Sequence, residues 1–146
     1  MKGADEEVEK AANEEIALQA SRGSIVLLKN DKNILPLDAS GIQKIAVCGP
    51  NADEHSYALT HYGPLAVEVT SVLKGIQEKM KGKAEVLYTK GCDLVDANWP
   101  ESELIDYPLT DEEQKEIEKA VDQAKQADVA VVVLGGGQRT CGENKS

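Results

Sequence analysis

The sequence predicts an α/β protein with a parallel sheet, on three observations. Apolar runs typical of buried strands alternate with longer helical patterns. Each apolar run ends in glycine followed by polar residues, which marks a strand end. The segments between the runs are long enough for the crossover helices that parallel strands require. Because a parallel sheet must be covered on both faces, we expect a three-layer αβα sandwich with a mostly parallel sheet, of which this chain holds only the first part.

Three strands are expected, at Lys44–Cys48, Ala84–Thr89 and Asp128–Leu134. The last, DVAVVVL, is the most strand-like run in the chain. In open parallel sheets the loops at the carboxyl ends of the strands carry the ligand-facing groups. The polar residues after each strand are therefore the first candidates for a functional site.

The first 40 residues are predicted to form a linker helix and the segment that leads into the sandwich domain. The helix is expected from Ala4 to about Lys29, with acidic first turns that suit a helix N-terminus. Ile34–Leu37 is expected to be short and extended, because Pro36 disfavours a helical conformation of the residue before it. Residues 41–146 are then expected to form the first part of the sandwich domain, which ends before its last strands.

Two further helices are expected between the strands. Thr70 or Ser71 can cap a helix that runs to Met80. The next helix, Asp111–Gln126, follows the pattern T-x-x-E at residues 110–113, a capping box. Its acidic residues are expected to lie on a solvated face.

Composition limits the classes of partner. The chain has 146 residues and a formal net charge of −10, which would repel nucleic acids and anionic membranes. No apolar run approaches the roughly 20 residues of a membrane span. The apolar fraction is 41% without any phenylalanine, so the core is expected to be aliphatic.

The cysteines do not predict a metal site. Cys48, Cys92 and Cys141 are widely spaced, and the sequence contains neither C-x-x-C nor a Cys/His pair at metal-ligand spacing. Cys48 ends an apolar strand and is expected to be a buried thiol. We expect neither a metal nor a cofactor.

Two glycine-containing loops are weak candidates for nucleotide sites. Gly49–Asp53 and Gly135–Gly137 both lack the G-x-G-x-x-G and G-x-x-x-x-G-K-[ST] spacings, and Pro50 removes an amide donor. No helix follows the second loop to offer its N-terminus to a phosphate. Glycines that permit a tight exit from a buried strand are the favoured interpretation of both.

Several stretches together resemble a known enzyme family. ALQASRGSIVLLKNDKNILPL followed by IAVCGPNAD is similar to the start of the second domain of family 3 glycoside hydrolases, the β-glucosidase/β-xylosidase group. HYGP, TSVLKGIQEKM, AEVLYTKGCD and ADVAVVVLGG follow in family order, so that the resemblance covers nearly the whole chain. It implies the first part of the C-terminal α/β sandwich domain of an exo-acting retaining β-glycosidase.

The resemblance implies one catalytic residue. In this family the DVAVVVLG strand is followed by a polar loop whose glutamate reaches a neighbouring TIM barrel and acts as general acid/base. The matching carboxylate is Glu143, the only acidic residue from Val129 to the end. By the residues alone, a glutamate in such a loop is usually just solvated, and it is the resemblance that favours the catalytic role.

The catalytic partner of that glutamate is not in this sequence. Retaining glycosidases use two carboxyl groups about 5–5.5 Å apart. The family's nucleophile is an aspartate on the TIM barrel, and no position here matches it. The chain alone is therefore expected to be inactive.

Other residues are weaker candidates. Asp53, His61 and Tyr62 could border a sugar site at the domain interface, although His61 is equally consistent with a surface residue. Trp99 could stack on a sugar ring or pack on the end of the sheet.

Two functions are compatible with these observations. The chain is either a part of an enzyme that hydrolyses β-linked glucosides or xylosides together with a TIM barrel, or a non-catalytic module that binds a small sugar or a protein partner. The exposed edge of the last strand predicts a homodimer or another pairing partner. The resemblance implies a periplasmic or secreted parent protein.

Overall fold

The computed structural model describes residues 2–55, 69–94 and 108–137. The chain divides into two compact units, residues 1–37 and residues 38–146. None of the helices in the described part is long and apolar enough to cross a membrane. The domain boundary expected at residue 40 stays a prediction.

The first unit contains helix α1, Lys2–Ser24, and a single 3-10 turn, Asp31–Asn33. The predicted extension of α1 to Lys29 is wrong. The hydroxyl of Ser24 donates to the carbonyl of Ser21 at 2.8 Å, and the next residues, Ile25 and Val26, are β-branched. Side-chain bonds to the backbone and restricted χ1 rotation both weaken the end of a helix.

The segment Ile34–Leu37 is irregular and not extended as expected. Ile34 has helical dihedral angles, with φ −64° and ψ −33°. The side chain of Asn30 then accepts from the N–H of Leu35 and donates to its carbonyl, both at 2.9 Å. These two bonds satisfy backbone groups that a strand would otherwise have to pair.

The second unit is built on a parallel three-stranded sheet. Its strands are β1 (Lys44–Cys48), β2 (Glu85–Thr89) and β3 (Val129–Val132), in the order β2-β1-β3. Both pairings are parallel, and Cys48 lies opposite Thr89 on one side and Val132 on the other. All three predicted strands are confirmed, with β3 shorter at both ends than expected.

Helices cover the two faces of this sheet. Ile45 and Val47 of β1 pack with Leu73 and Met80 of helix α2, Val72–Met80. Cys48 points to the opposite face, because successive side chains of a strand alternate, and there it shares a cavity with Ile117 and its neighbours on helix α3, Asp111–Lys125. The three-layer αβα architecture is confirmed.

The core is aliphatic, as composition predicted. Val47 in the central strand is completely buried. The buried cluster around it consists of Ile42, Ile45, Ala52, Leu73 and Met80.

Both helices of the second unit begin at side-chain caps. The Ser71 hydroxyl accepts from the N–H of Lys74 at 3.1 Å, so that Ser71 caps α2. At α3 the N–H of Glu113 donates to the Thr110 hydroxyl at 3.2 Å, and the N–H of Thr110 donates to the Glu113 carboxylate at 2.7 Å. This reciprocal pair is the predicted capping box.

Both edge strands of the sheet, β2 and β3, have one unpaired side in the described part of the chain. There β3 pairs only with β1, which leaves its other side open. Pairing of this edge between two copies stays a prediction.

Asp128 ties the amino-terminal ends of β1 and β3 together. Its Oδ2 accepts from the N–H of Gln43 and from that of Lys44, each at 2.9 Å, and its own N–H donates to the Lys44 carbonyl at 2.9 Å. The hydrogen bonds from Gln43 and Lys44 lower the pKa of the Asp128 carboxyl below its ordinary 3.8. The ionised form is thus stabilised by folding.

We expect Asp128→Asn to lower the melting temperature of the chain at pH 7. A carboxyl whose pKa is lower in the folded than in the unfolded protein stabilises the fold above its unfolded pKa. That stabilisation is lost as pH falls below about 4 towards the folded pKa, so the difference between variant and wild type should shrink there. Thermal unfolding followed by circular dichroism between pH 3 and 7 measures both effects.

Asp122→Asn is the matched control, because the Asp122 carboxylate lies on the surface 3.5 Å from the Lys125 ammonium. Exposed ion pairs of this kind contribute little to stability. An Asp128→Asn variant as stable as wild type at pH 7, or a difference that stays the same at pH 3, would contradict the role of this carboxylate.

Candidate functional site

The loops that follow the three strands meet at the carboxyl edge of the sheet. The N–H of Gly49, after β1, donates to the carbonyl of Lys90, after β2, at 2.9 Å. The N–H of Val133, after β3, donates to the carbonyl of Cys48 at 2.8 Å. Functional groups are expected at this edge in parallel α/β sheets.

Gly49 permits a close approach between two of these loops. Its φ is +112°, and a Cβ atom at this position would lie 2.2 Å from the carbonyl oxygen of Val133. Only a residue without a side chain fits against this backbone. The tight strand exit predicted at this glycine is confirmed.

Asn51 joins the loop after β1 to the loop after β3. Its N–H lies 3.4 Å from the Val133 carbonyl oxygen, and its side-chain amide donates to the Gly136 carbonyl at 3.2 Å. The Oδ1 atom of Asn51 is buried and has no hydrogen-bond partner within the described ranges.

Asp53 anchors the end of the first loop to the start of α2. Its Oδ1 accepts from the Ser71 hydroxyl at 2.8 Å and lies 3.0 Å from Nε2 of His55. The other ring nitrogen of His55 lies 3.1 Å from the Val69 carbonyl. The histidine can donate to both oxygens only when both of its nitrogens carry a proton.

Tyr88 belongs to the same edge and was not among the residues predicted from the sequence. Burial raises the pKa of the Tyr88 hydroxyl, and the negative charge of Asp53 raises it further. Tyr88 therefore lies within electrostatic range of that carboxylate, while its ring packs against the core. The signal in the sequence is slight: Tyr88 is the one hydroxyl-bearing aromatic residue within a predicted strand.

The structure describes only part of the predicted site. Asp53 is described, and its Oδ1 is engaged by Ser71 and His55. His61, Tyr62 and Glu143 lie outside the described residues, as does Trp99. Their contacts stay predictions.

An apolar cavity of about 240 Å³ lies between the sheet and α3. Apart from Cys48, Cys92 and Lys90 its lining is glycine and aliphatic: Gly49, Gly91, Ile117, Ala120, Val121, Ala124, Val132 and Leu134. A sugar needs hydrogen-bond partners for its hydroxyl groups, so this cavity does not suit one.

Cys48 is half-buried, not buried as expected. The reason is its position at the last residue of β1, where α3 leaves the cavity open. Burial raises the pKa of the Cys48 thiol, and the nearby Cys92 raises it further. The described residues contain no group of three or more His, Cys, Asp or Glu side chains that could hold a metal ion.

The comparisons of this chain with known proteins agree on one family. The sequence model of the glycosyl hydrolase family 3 C-terminal domain matches residues 25–146. A β-xylosidase of Formosa agariphila is 37% identical over 94% of the chain, and the periplasmic β-glucosidase of Salmonella typhimurium is 34% identical over 97%. The chain spans 18% and 19% of the lengths of these two relatives.

Solved structures agree with the sequence relatives. A β-glucosidase involved in saponin metabolism from intestinal bacteria superposes with a TM-score of 0.71 over 93% of this chain and 20% of its own, at 28% identity. A β-glucosidase from Erythrobacter marinus gives a TM-score of 0.61 over 84% of this chain and 18% of its own, at 32% identity.

Proposed function

The chain belongs to glycoside hydrolase family 3, and from that membership we propose that it forms the first part of the C-terminal domain of an exo-acting retaining β-glycosidase. Its substrates are β-linked glucosides or xylosides, as the names of the relatives indicate. The observation that carries the proposal is the family match over residues 25–146, together with the fold common to solved β-glucosidases.

In this proposal the chain supplies the general acid/base and a TIM barrel supplies the nucleophile. Glu143 protonates the leaving oxygen in the first step and deprotonates water in the second. It can act only when the loop that carries it places the carboxyl within hydrogen-bond reach of the glycosidic oxygen. Without the barrel it has neither partner nor substrate, and the isolated chain is inactive.

The geometry of the carboxyl edge supports this assignment of roles. The loop that contains Glu143 starts from Gly135–Gly137, directly after β3. At this point it contacts Asn51 in the loop after β1, which also carries Asp53. Asp53, His61 and Tyr62 are proposed to border the sugar, and Asp53 has one carboxylate oxygen besides the Oδ1 that binds Ser71.

The alternative, a non-catalytic module that binds a sugar or a protein, has less support. The described cavity is apolar, whereas the relatives are named as glycosidases. A periplasmic or secreted parent protein is proposed because one of those relatives is a periplasmic β-glucosidase.

Joining this chain to the barrel domain of a family 3 relative tests the proposal. The joined protein should hydrolyse p-nitrophenyl β-glucoside or β-xyloside, while the chain alone and the barrel alone should not. Hydrolysis is measured by release of p-nitrophenol. Activity of the isolated chain, or a barrel that is equally active without it, would show that the proposed division of roles is wrong.

A further inference from the structure

The loops after β1 and β3 are held together by residues 85 positions apart in sequence. The Asn51 amide donates to the Gly136 carbonyl at 3.2 Å, while the Asn51 N–H lies 3.4 Å from the Val133 carbonyl oxygen. Asn51 thus contacts the chain after β3 through both its backbone and its side chain. This contact lies beyond the last hydrogen bond between β3 and β1, which the Val133 N–H donates to the Cys48 carbonyl.

The chain fits closely around this contact. A Cβ atom on Gly135 would lie 2.8 Å from the amide nitrogen of Asn51. On the other side, a Cβ atom on Gly137 would lie 2.5 Å from the Cδ1 atom of Leu94. The three glycines are therefore seated against two other loops, and they are not merely a flexible spacer.

The Asn51 amide makes this bond at a cost. Its Oδ1 is buried without a hydrogen-bond partner in the part of the chain that the structure describes. An unpaired buried acceptor is destabilising. Exchange of the amide oxygen and nitrogen would place an acceptor against the Gly136 carbonyl, so the network fixes the amide orientation. The hydrogen bond to the Gly136 carbonyl is therefore the interaction by which the Asn51 side chain holds the loop.

We propose that Asn51 is a positioning residue for the acid/base loop. By holding the Gly136 carbonyl, it fixes the place and direction in which the chain leaves the sheet, seven residues before Glu143. The catalytic role of this positioning rests on the proposed function of Glu143. A general acid must lie within hydrogen-bond reach of the leaving oxygen, and freedom at the base of the loop would spread the carboxyl over many positions.

A spin label on Cys141 tests the positioning directly in the 146-residue chain. Cys141 lies in the same loop, two residues before Glu143, and the other two cysteines are replaced (Cys48→Ala, Cys92→Ser). Asn51→Ala, and Asn51→Leu with a similar volume but no donor, should both shorten the rotational correlation time of the nitroxide.

Gln126→Ala is the matched control, because the Gln126 amide also donates to a backbone carbonyl, that of Asp122, at 3.0 Å. It lies at the end of α3 and should leave the spectrum of the label unchanged. Thermal unfolding of each variant separates a folded chain with a freed loop from a partly unfolded one. A spectrum that is the same in the Asn51 variants and in the control overturns the inference, whatever the role of Glu143.

Kinetics of the barrel-joined protein test the catalytic meaning. Asn51→Ala should lower kcat for a phenyl glycoside by about 10- to 100-fold, the loss typical of small misplacements of catalytic groups. For a dinitrophenyl glycoside, whose leaving group needs no proton, kcat/KM should change little, because it reports only the first chemical step. If the label is freed but kcat/KM falls equally for both substrates, Asn51 does not act through the general acid. If the loss of activity in Glu143→Gln does not depend on the leaving group, the proposed function is wrong. The spin-label result would still show whether Asn51 holds the loop through Gly136.

Discussion

Replacement of Glu143 by glutamine in the barrel-joined protein is expected to lower kcat for a phenyl β-glycoside by about 10²- to 10⁴-fold. That range is the usual contribution of a positioned general acid or base. Phenoxide is a poor leaving group, so cleavage of its glycoside requires a proton at the glycosidic oxygen in the transition state. Glutamine has the size of glutamate but cannot supply that proton.

The same variant should lose far less of its kcat/KM for a dinitrophenyl glycoside. This leaving group departs without a proton, so the first chemical step no longer depends on Glu143. Hydrolysis of the glycosyl-enzyme still needs a base. Added azide, which attacks without one, should therefore accelerate turnover and yield a glycosyl azide detectable by mass spectrometry.

Glu112→Gln is a suitable control, because Glu112 is exposed in the first turn of α3. It should retain wild-type kinetics with both substrates. Full activity of Glu143→Gln, with Glu143→Ala likewise unaffected, would show that the acid/base assignment is wrong. A loss that is independent of the leaving group and not relieved by azide would count equally against it.

Gly49→Ala is expected to give the largest loss of stability in the second unit, about 2–6 kcal/mol. Two costs combine at this position. A φ of +112° is strained for any residue with a side chain, at about 1–3 kcal/mol. The new Cβ atom would also lie 2.2 Å from the Val133 carbonyl oxygen, and overpacking costs about another 1–3 kcal/mol.

The second cost cannot be relieved by a rotamer change, because the obstructing atom belongs to the backbone. Relief requires that β3 move away from β1 at the bond between Val133 N–H and Cys48 carbonyl, which is 2.8 Å long. A loss of about 2–6 kcal/mol would be a large fraction of the roughly 5–15 kcal/mol typical of a domain. Urea unfolding of the 146-residue chain measures it.

Substitutions at two other glycines distinguish the cost of backbone strain from the cost of the close contact. Gly82 has a φ of +72° but nothing within 4 Å of an added Cβ atom, so Gly82→Ala should lose only the strain of a left-handed residue, about 1–2 kcal/mol. Gly41 has open space and no positive φ, and Gly41→Ala should be nearly neutral. A Gly49→Ala variant no less stable than Gly82→Ala would contradict the close approach of β1 and β3.

The secondary structure of the second unit was largely predictable because its signals are local. β1 was predicted to the residue, and the capping box at Thr110 marked the start of α3 correctly. Apolar runs, caps and glycine stops act over a few residues. The errors arose where local signals are weak, as at the end of α1, where the two residues that follow Ser24 are β-branched but apolar.

The candidate site was less predictable. The match of CGENKS to the family loop indicated Glu143, and the polar residues after β1 indicated Asp53. The effect of the Asp53 charge on the pKa of Tyr88 was not visible, because it depends on the pairing of β1 with β2 in register. A register cannot be read from either strand alone.

The sequence by itself determined the element types, the aliphatic composition of the core and the family, since each depends on residue identity along a short stretch. Only the tertiary structure decided that the first strand is the central one, with β2 and β3 on either side. That order brings Asn51 to Gly136 and Gly49 to Val133. Contacts between residues so far apart in the chain depend on where the chain returns, and no local pattern carries that information.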